Sequence, residues 1–198
     1  LAQTDKRIFL LTGDLGFSVL EKFQQNFPER FFNMGVAEQN MIGVAAGLAL
    51  CGKIVFVYSI VPFVTMRCFE QIRNDLCFQN LNVRLIGIGG GVSYGCAGPT
   101  HSGLEDVCIM RSLMNMTVIT PGNYNETKAS VEFSMKHQGP IYIRLSKDKA
   151  SIVPVKSDFQ INRGCVLEKG KDITIIAAGS ILGLARMVCT ELKKRNLS

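Results

Sequence analysis

Apolar positions along the chain fall into alternating blocks, short β-branched or aromatic runs each followed by a longer segment of helical spacing. That alternation predicts repeated β–α–β units and a parallel sheet. Strands are expected at Ile8–Leu11, Phe31–Asn33, Lys53–Tyr58, Val83–Ile88, Met116–Thr120 and Pro140–Leu145. Helices are expected at Phe17–Asn26, Ala37–Leu50, Phe63–Phe78, Leu104–Leu113 and Asn125–His137. The segment Ala37–Leu50 is apolar almost all round, which predicts a buried helix. Beyond Leu145 the texture changes. Residues 146–163 carry mixed charge and Pro154 without clear periodicity, as a linker does. Then Gly164–Glu168, Asp172–Ala178 and Ile181–Arg195 read as strand, strand and helix. The expected fold is α/β: a doubly wound, mostly parallel sheet with helices on both faces over residues 1–145, a linker over 146–163, and the incomplete start of a second α/β domain over 164–198.

Composition narrows the class. Of 198 residues, 47% are hydrophobic and 19% charged, which excludes a disordered chain and favours a buried-sheet enzyme domain. No apolar stretch reaches membrane-spanning length, because Lys53 interrupts the longest candidate and Pro62 and Arg67 close the next. The net charge of +6 is scattered, without a basic stripe interleaved with aromatics, so nucleic acid is not an expected partner. Seven cysteines form an odd set without CxxC spacing, most within apolar runs. They read as small hydrophobes in a reducing, cytoplasmic compartment rather than as zinc ligands.

In an open parallel sheet, ligands bind beyond the carboxyl ends of the strands. The residues just past those ends include Asp14, Glu38, Phe63 and His101, which should therefore converge on one edge. Glu38 opens the most apolar helix, either as a first-turn acid favoured by the helix dipole or as a half-buried carboxylate that shares a proton with a heterocycle. The glycine-rich stretch from Gly87 to His101 lets backbone approach a ligand closely, but it matches neither GxGxxG, with Val92 in the third glycine's place, nor a P-loop. His101 lies just before a helix; His137, near a helix end, reads as a surface residue complementing the dipole. Phe63, at a helix start, is placed to stack on a ligand, whereas Cys68, Phe69 and Phe78 read as core. Arg144 and Lys147 flank the last strand and are the candidates for a phosphate.

These residues carry a resemblance. Phe27-Pro-Glu-Arg-Phe-Phe-Asn-Met-Gly-Val-Ala-Glu-Gln-Asn-Met41 resembles the central segment of the pyrimidine-binding domain of thiamine-diphosphate enzymes in the transketolase group, 1-deoxyxylulose-5-phosphate synthase included. Thr12-Gly-Asp-Leu, Phe69-Glu-Gln-Ile-Arg-Asn-Asp, Gly98-Pro-Thr-His and Asn115-Met-Thr-Val-Ile-Thr-Pro agree in order. The segment 166–180 resembles the entry to the family's C-terminal domain.

The resemblance implies that Glu38 hydrogen-bonds the aminopyrimidine ring nitrogen of thiamine diphosphate and so activates it. It places Phe63 near the stacking aromatics, Asp14 near the cofactor at the subunit interface, and His101 at donor oxygens close to the reacting carbon. Lys147, or Arg144, would meet a substrate phosphate. The implied activity is transfer of a two-carbon ketol unit between sugars or sugar phosphates. Alternatives are a decarboxylating carboligase that uses pyruvate and a non-catalytic partner subunit. Two departures bear on the substrate. Cys96-Ala97 replaces an acidic pair before Gly98-Pro-Thr-His, and Gly89 stands where transketolases commonly have histidine. The family's Gly-Asp-Gly signature, which holds diphosphate and Mg2+, is absent from the sequence. The chain is therefore expected to need a diphosphate-binding subunit or domain, in a homo- or hetero-oligomer, for both cofactor binding and activity.

Overall fold

The computed structural model describes residues 1–147 and 163–198. Its elements in chain order are β1 (Ile8–Thr12), α1 (Glu21–Asn26), β2 (Phe31–Asn33), α2 (Glu38–Leu50), β3 (Ile54–Ile60), α3 (Val61–Val64) and α4 (Phe69–Gln71). A wide π-type turn (Ile72–Cys77), β4 (Val83–Ile88), α5 (Asp106–Arg111), β5 (Thr117–Ile119), α6 (Tyr124–Ser134), β6 (Ile141–Leu145) and α7 (Leu182–Lys194) follow.

Six parallel strands form one sheet in the order β2-β1-β3-β4-β6-β5. The period-2 alternation of strand side chains sends alternate residues to opposite faces. Val55 and Val57 join Leu11, Val83, Leu85 and Tyr142 in a core packed on Met41, Ile42 and Ala45 of α2. On the other face Phe56 and Tyr58 pack with Ile86, Ile119, Ile141 and Ile143, near Phe133 of α6. A sheet buried on both faces is the doubly wound architecture that the near-continuous apolar strands predict.

Four expectations change. Only one stripe of α2 is buried, with Met41, Ile42, Ala45 and Ala46 inward, while Gly43, Gly47 and Leu50 are exposed. α1 begins at Glu21 rather than Phe17, because Gly16 and Ser18 take positive φ and the Glu21 carboxylate accepts from the Ser18 N–H. The helix read as Phe63–Phe78 begins at Val61 and is broken. The Thr65 hydroxyl and N–H both donate to the Val61 carbonyl, and α4 and the π-type turn resume the path two residues beyond the Arg67 bend. Phe78 lies exposed at its end rather than in the core. Finally, Gly164–Glu168 and Asp172–Ala178 form no strand. Extended backbone becomes a strand only against a paired neighbour, and here the Asp172 and Ile173 N–H groups donate to the Ser198 carbonyl instead. α7 forms as expected. Most of the linker read at 146–163 lies outside the described residues.

Candidate active site

The chain runs from β1 outward to β2, then returns to place β3 on the other side of β1. The β1/β3 boundary is thus a topological switch point, where the loops diverge and leave a crevice. The register sets Thr12 level with Asn33 and Tyr58, so Gly13-Asp14 and Met34-Gly35 leave the sheet together, while β3 runs on through Ser59 and Ile60 beside β4. Gly35 at φ +69 turns the chain sharply into α2 and brings Glu38 back over the sheet edge.

Glu38 is 1% exposed. One carboxylate oxygen lies over Gly13, where a Cβ would come within 3.2 Å of it, and accepts weakly from the Ser59 hydroxyl at 3.3 Å. The other accepts from Arg67 Nη1 at 2.5 Å. A charge taken so far out of water requires such partners. The Arg67 guanidinium also lies 4.2 Å over the ring of Phe63. Phe63 packs edge-on against His101 at 5.0 Å, His101 against Tyr94 at 5.6 Å, and the Lys147 ammonium lies 4.7 Å over Tyr94. Glu38, Phe63, His101 and Lys147 are therefore linked in one series of contacts at the carboxyl edge, through Arg67 and Tyr94. His101 Nδ1 shares a 2.9 Å hydrogen bond with the Thr100 hydroxyl.

Asp14 sits next to the Gly13 that faces Glu38. It is exposed, in a left-handed conformation at φ +58, and tied to Asn33 by its own N–H and by its carboxylate. Arg144 is half-buried and turned toward Asp106. Its Nε donates to Asp106 at 2.8 Å and its Nη2 to the Gly103 carbonyl at 2.9 Å. The Tyr142 hydroxyl donates to the same Asp106 oxygen at 2.6 Å. Burial, and then the Asp106 charge, push the Tyr142 phenol upward, so it remains a donor. His137 is not a dipole-complementing cation. Burial and Arg84 lower its pKa, and Nε2 meets the Thr117 hydroxyl at 3.2 Å.

Arg67 and Asp106 escaped the sequence reading as site residues; Ser59 and Tyr94 lay in the stretches just past the third and fourth expected strands but carried no role of their own. A single charge inside the apolar run Val61–Phe69 was the available signal for Arg67. Tyr94 explains Gly89: at φ +81, a Cβ there would overlap the Tyr94 ring, so the tyrosine fills the volume a histidine would need. Among the described residues no three His, Cys, Asp or Glu side chains gather as a metal cage, and no helix is long and apolar enough to cross a membrane.

A doubly wound parallel domain with a buried carboxylate at its switch point belongs to the class of α/β domains that hold a ligand across the sheet edge. The chain belongs to the family described as transketolase, pyrimidine binding domain, whose model matches residues 1–151. It is 39% identical over its whole length to 64% of a Methanocaldococcus jannaschii protein assigned as a transketolase C-terminal section. It is 38% identical over 96% of its length to 60% of a 6-deoxy-6-sulfo-D-fructose transketolase subunit from a Clostridium species. Among solved structures, a split-gene transketolase in an inactive β4 tetramer superposes with a TM-score of 0.88 at 38% identity, covering all of this chain and 65% of that one. The chain thus spans less than two thirds of the curated relatives it matches.

Proposed function

We propose that this chain forms the pyrimidine-binding half of a thiamine-diphosphate-dependent transketolase, completed by a diphosphate-binding subunit or domain that carries Mg2+. The observation that carries the reading is Glu38: a buried carboxylate at the switch point, flanked by the bare backbone of Gly13 and by the half-buried ring of Phe63. The Arg67 guanidinium, itself flat and nitrogen-bearing, lies over Phe63 and donates to Glu38; a heterocycle with its ring face on Phe63 and a ring nitrogen on Glu38 would take that place, with Arg67 swung aside. Thiamine diphosphate, once bound, supplies the electron sink for carbon–carbon bond cleavage and formation. Glu38 holds and returns a proton at that ring nitrogen, Ser59 orients its carboxylate, and Asp14 lies at the rim on the same side. His101, one ring beyond Phe63, donates to substrate oxygens near the reacting carbon. Lys147, farther along the line, takes a substrate phosphate in preference to Arg144, whose guanidinium is engaged by Asp106 and Gly103. The unpaired cysteines suit a cytoplasmic setting.

The exposed outer face of α2, with Gly43, Gly47 and Leu50 beside exposed Val36, is the surface we assign to the partner subunit. The test is to combine the chain with a diphosphate-binding partner, thiamine diphosphate and Mg2+ and to assay ketol transfer from ketose donors. Glu38→Ala should lower kcat about 10²–10⁴-fold, the range for a positioned proton-transfer group. Unchanged turnover in that variant sinks the catalytic reading and leaves a non-catalytic partner. Release of carbon dioxide from pyruvate replaces ketol transfer with carboligation.

A further inference from the structure

Buried Asp106 and Tyr142 form a cluster with half-buried Arg144 that the cofactor line does not touch, and the glycine-rich loop is built around it. A Cβ on Gly87 would meet the Tyr142 ring at 2.8 Å, and one on Gly90 would lie 2.5 Å from Arg144 Cζ. One on Gly103 would run into Val61 and stand 3.5 Å from Asp106 Oδ1. At these three positions glycine therefore makes room for protein side chains rather than for a ligand. Asp106 is 0% exposed; Oδ2 receives both Tyr142 and Arg144, and Oδ1 has no hydrogen-bond partner. Arg144 passes the connection on, through Nη2, to the carbonyl of Gly103, two residues from His101. Gly103 in turn exchanges N–H···O bonds of 2.8 and 2.9 Å with Gly91, closing the loop on itself.

We infer that Asp106 and Arg144 are positioning residues for His101, clamping both ends of the loop so that its imidazole is held between Phe63 and Tyr94. Calling the positioned group catalytic rests on the proposed function; the clamp itself does not. A buried charge-assisted bond is short and directional, so it fixes the carbonyl it holds more tightly than a neutral contact would. Arg144 thereby acts through Gly103 and not on a substrate.

The chain has two histidines, so imidazole NMR of the full chain gives one probe on the loop and one internal reference. In Asp106→Asn and in Arg144→Lys, the His101 cross-peaks should move and lose their tautomer preference, while those of His137 stay in place. If His137 also collapses to its unfolded position in Asp106→Asn, that variant has failed to fold, and Arg144→Lys and Tyr142→Phe decide by the same criterion. Folded variants in which His101 keeps its wild-type shifts and tautomer overturn the clamp. The measurement needs neither cofactor nor partner, so loss of the transketolase reading would leave the clamp standing, and the reverse. In the assembled enzyme, Arg144→Lys should lower kcat about tenfold with little change in KM for the phosphorylated donor; a rise in KM alone would return Arg144 to the phosphate.

Discussion

Cys68 lies one residue from Arg67, its thiol donating to the Phe63 carbonyl at 3.2 Å. Burial first, and the nearby Glu38 charge second, push this thiol up to about 12. Cys77 is raised to about 12 by burial alone. At pH 8 roughly one in ten thousand of either would be thiolate, the reactive form. Cys51, Cys96, Cys108 and Cys165 are exposed. Brief alkylation of the folded chain should therefore label those four and leave Cys68 and Cys77 untouched until denaturant is added, as mapped by peptide mass spectrometry. Arg67 offers a second test. Its removal leaves one Glu38 oxygen buried without a partner, so Arg67→Ala should cost about 1.5–3 kcal/mol by urea denaturation. Neither partner of that pair is close in sequence, which is why Glu38 was legible as a candidate while its counter-ion was not.

The C-terminal end of α6 shows how a helix is closed from a distant strand. Arg84 of β4 is 0% exposed and donates to the carbonyls of Ser134, His137 and Gly139 at 3.0, 2.8 and 2.6 Å. These include carbonyls that a helix end leaves open. Burial lowers its pKa to about 10, so it remains a cation at neutral pH. Arg84→Met would strand these acceptors and should cost about 3 kcal/mol, or roughly 6–12 °C in Tm by calorimetry. His137 makes a pH-dependent prediction. Its folded pKa lies below the ordinary 6.5, so as pH falls through 6.5 the unfolded chain takes up a proton that the folded chain refuses. Stability should fall over that interval and level off below the folded pKa. His137→Gln should remove this component of the slope when urea midpoints at pH 7.5 and 5.5 are compared.

For the molecule as a whole, the outer face of α2 sets the expectation. Gly43 and Gly47 have open space where a Cβ would go, on a helix whose opposite face packs into the core. Gly43→Glu should leave the chain folded and raise its own stability by up to about 1 kcal/mol, because glycine is a poor residue inside a helix. By sedimentation velocity it should weaken association with the diphosphate-binding subunit proposed as partner. Undiminished assembly of the folded variant would remove α2 from the interface.

Periodicity is a local property, and it was enough to show six strands and the places of the helices between them, though not where α1 starts or that the helix after β3 breaks. The motif around Glu38 likewise lies within fifteen residues, so the family could be read from the chain alone. What depended on the folded molecule involves residues far apart in sequence. The break between α3 and α4 bends Arg67 onto Glu38; Tyr94 fills the place over Gly89; and Arg144 turns inward to Asp106. The two segments after residue 163 lack strand pairing for the same reason: a strand needs a partner, and no pattern within the segment supplies one. Hydrophobic spacing chose the elements, while hydrogen bonds and charges between distant residues settled which side chains face the crevice.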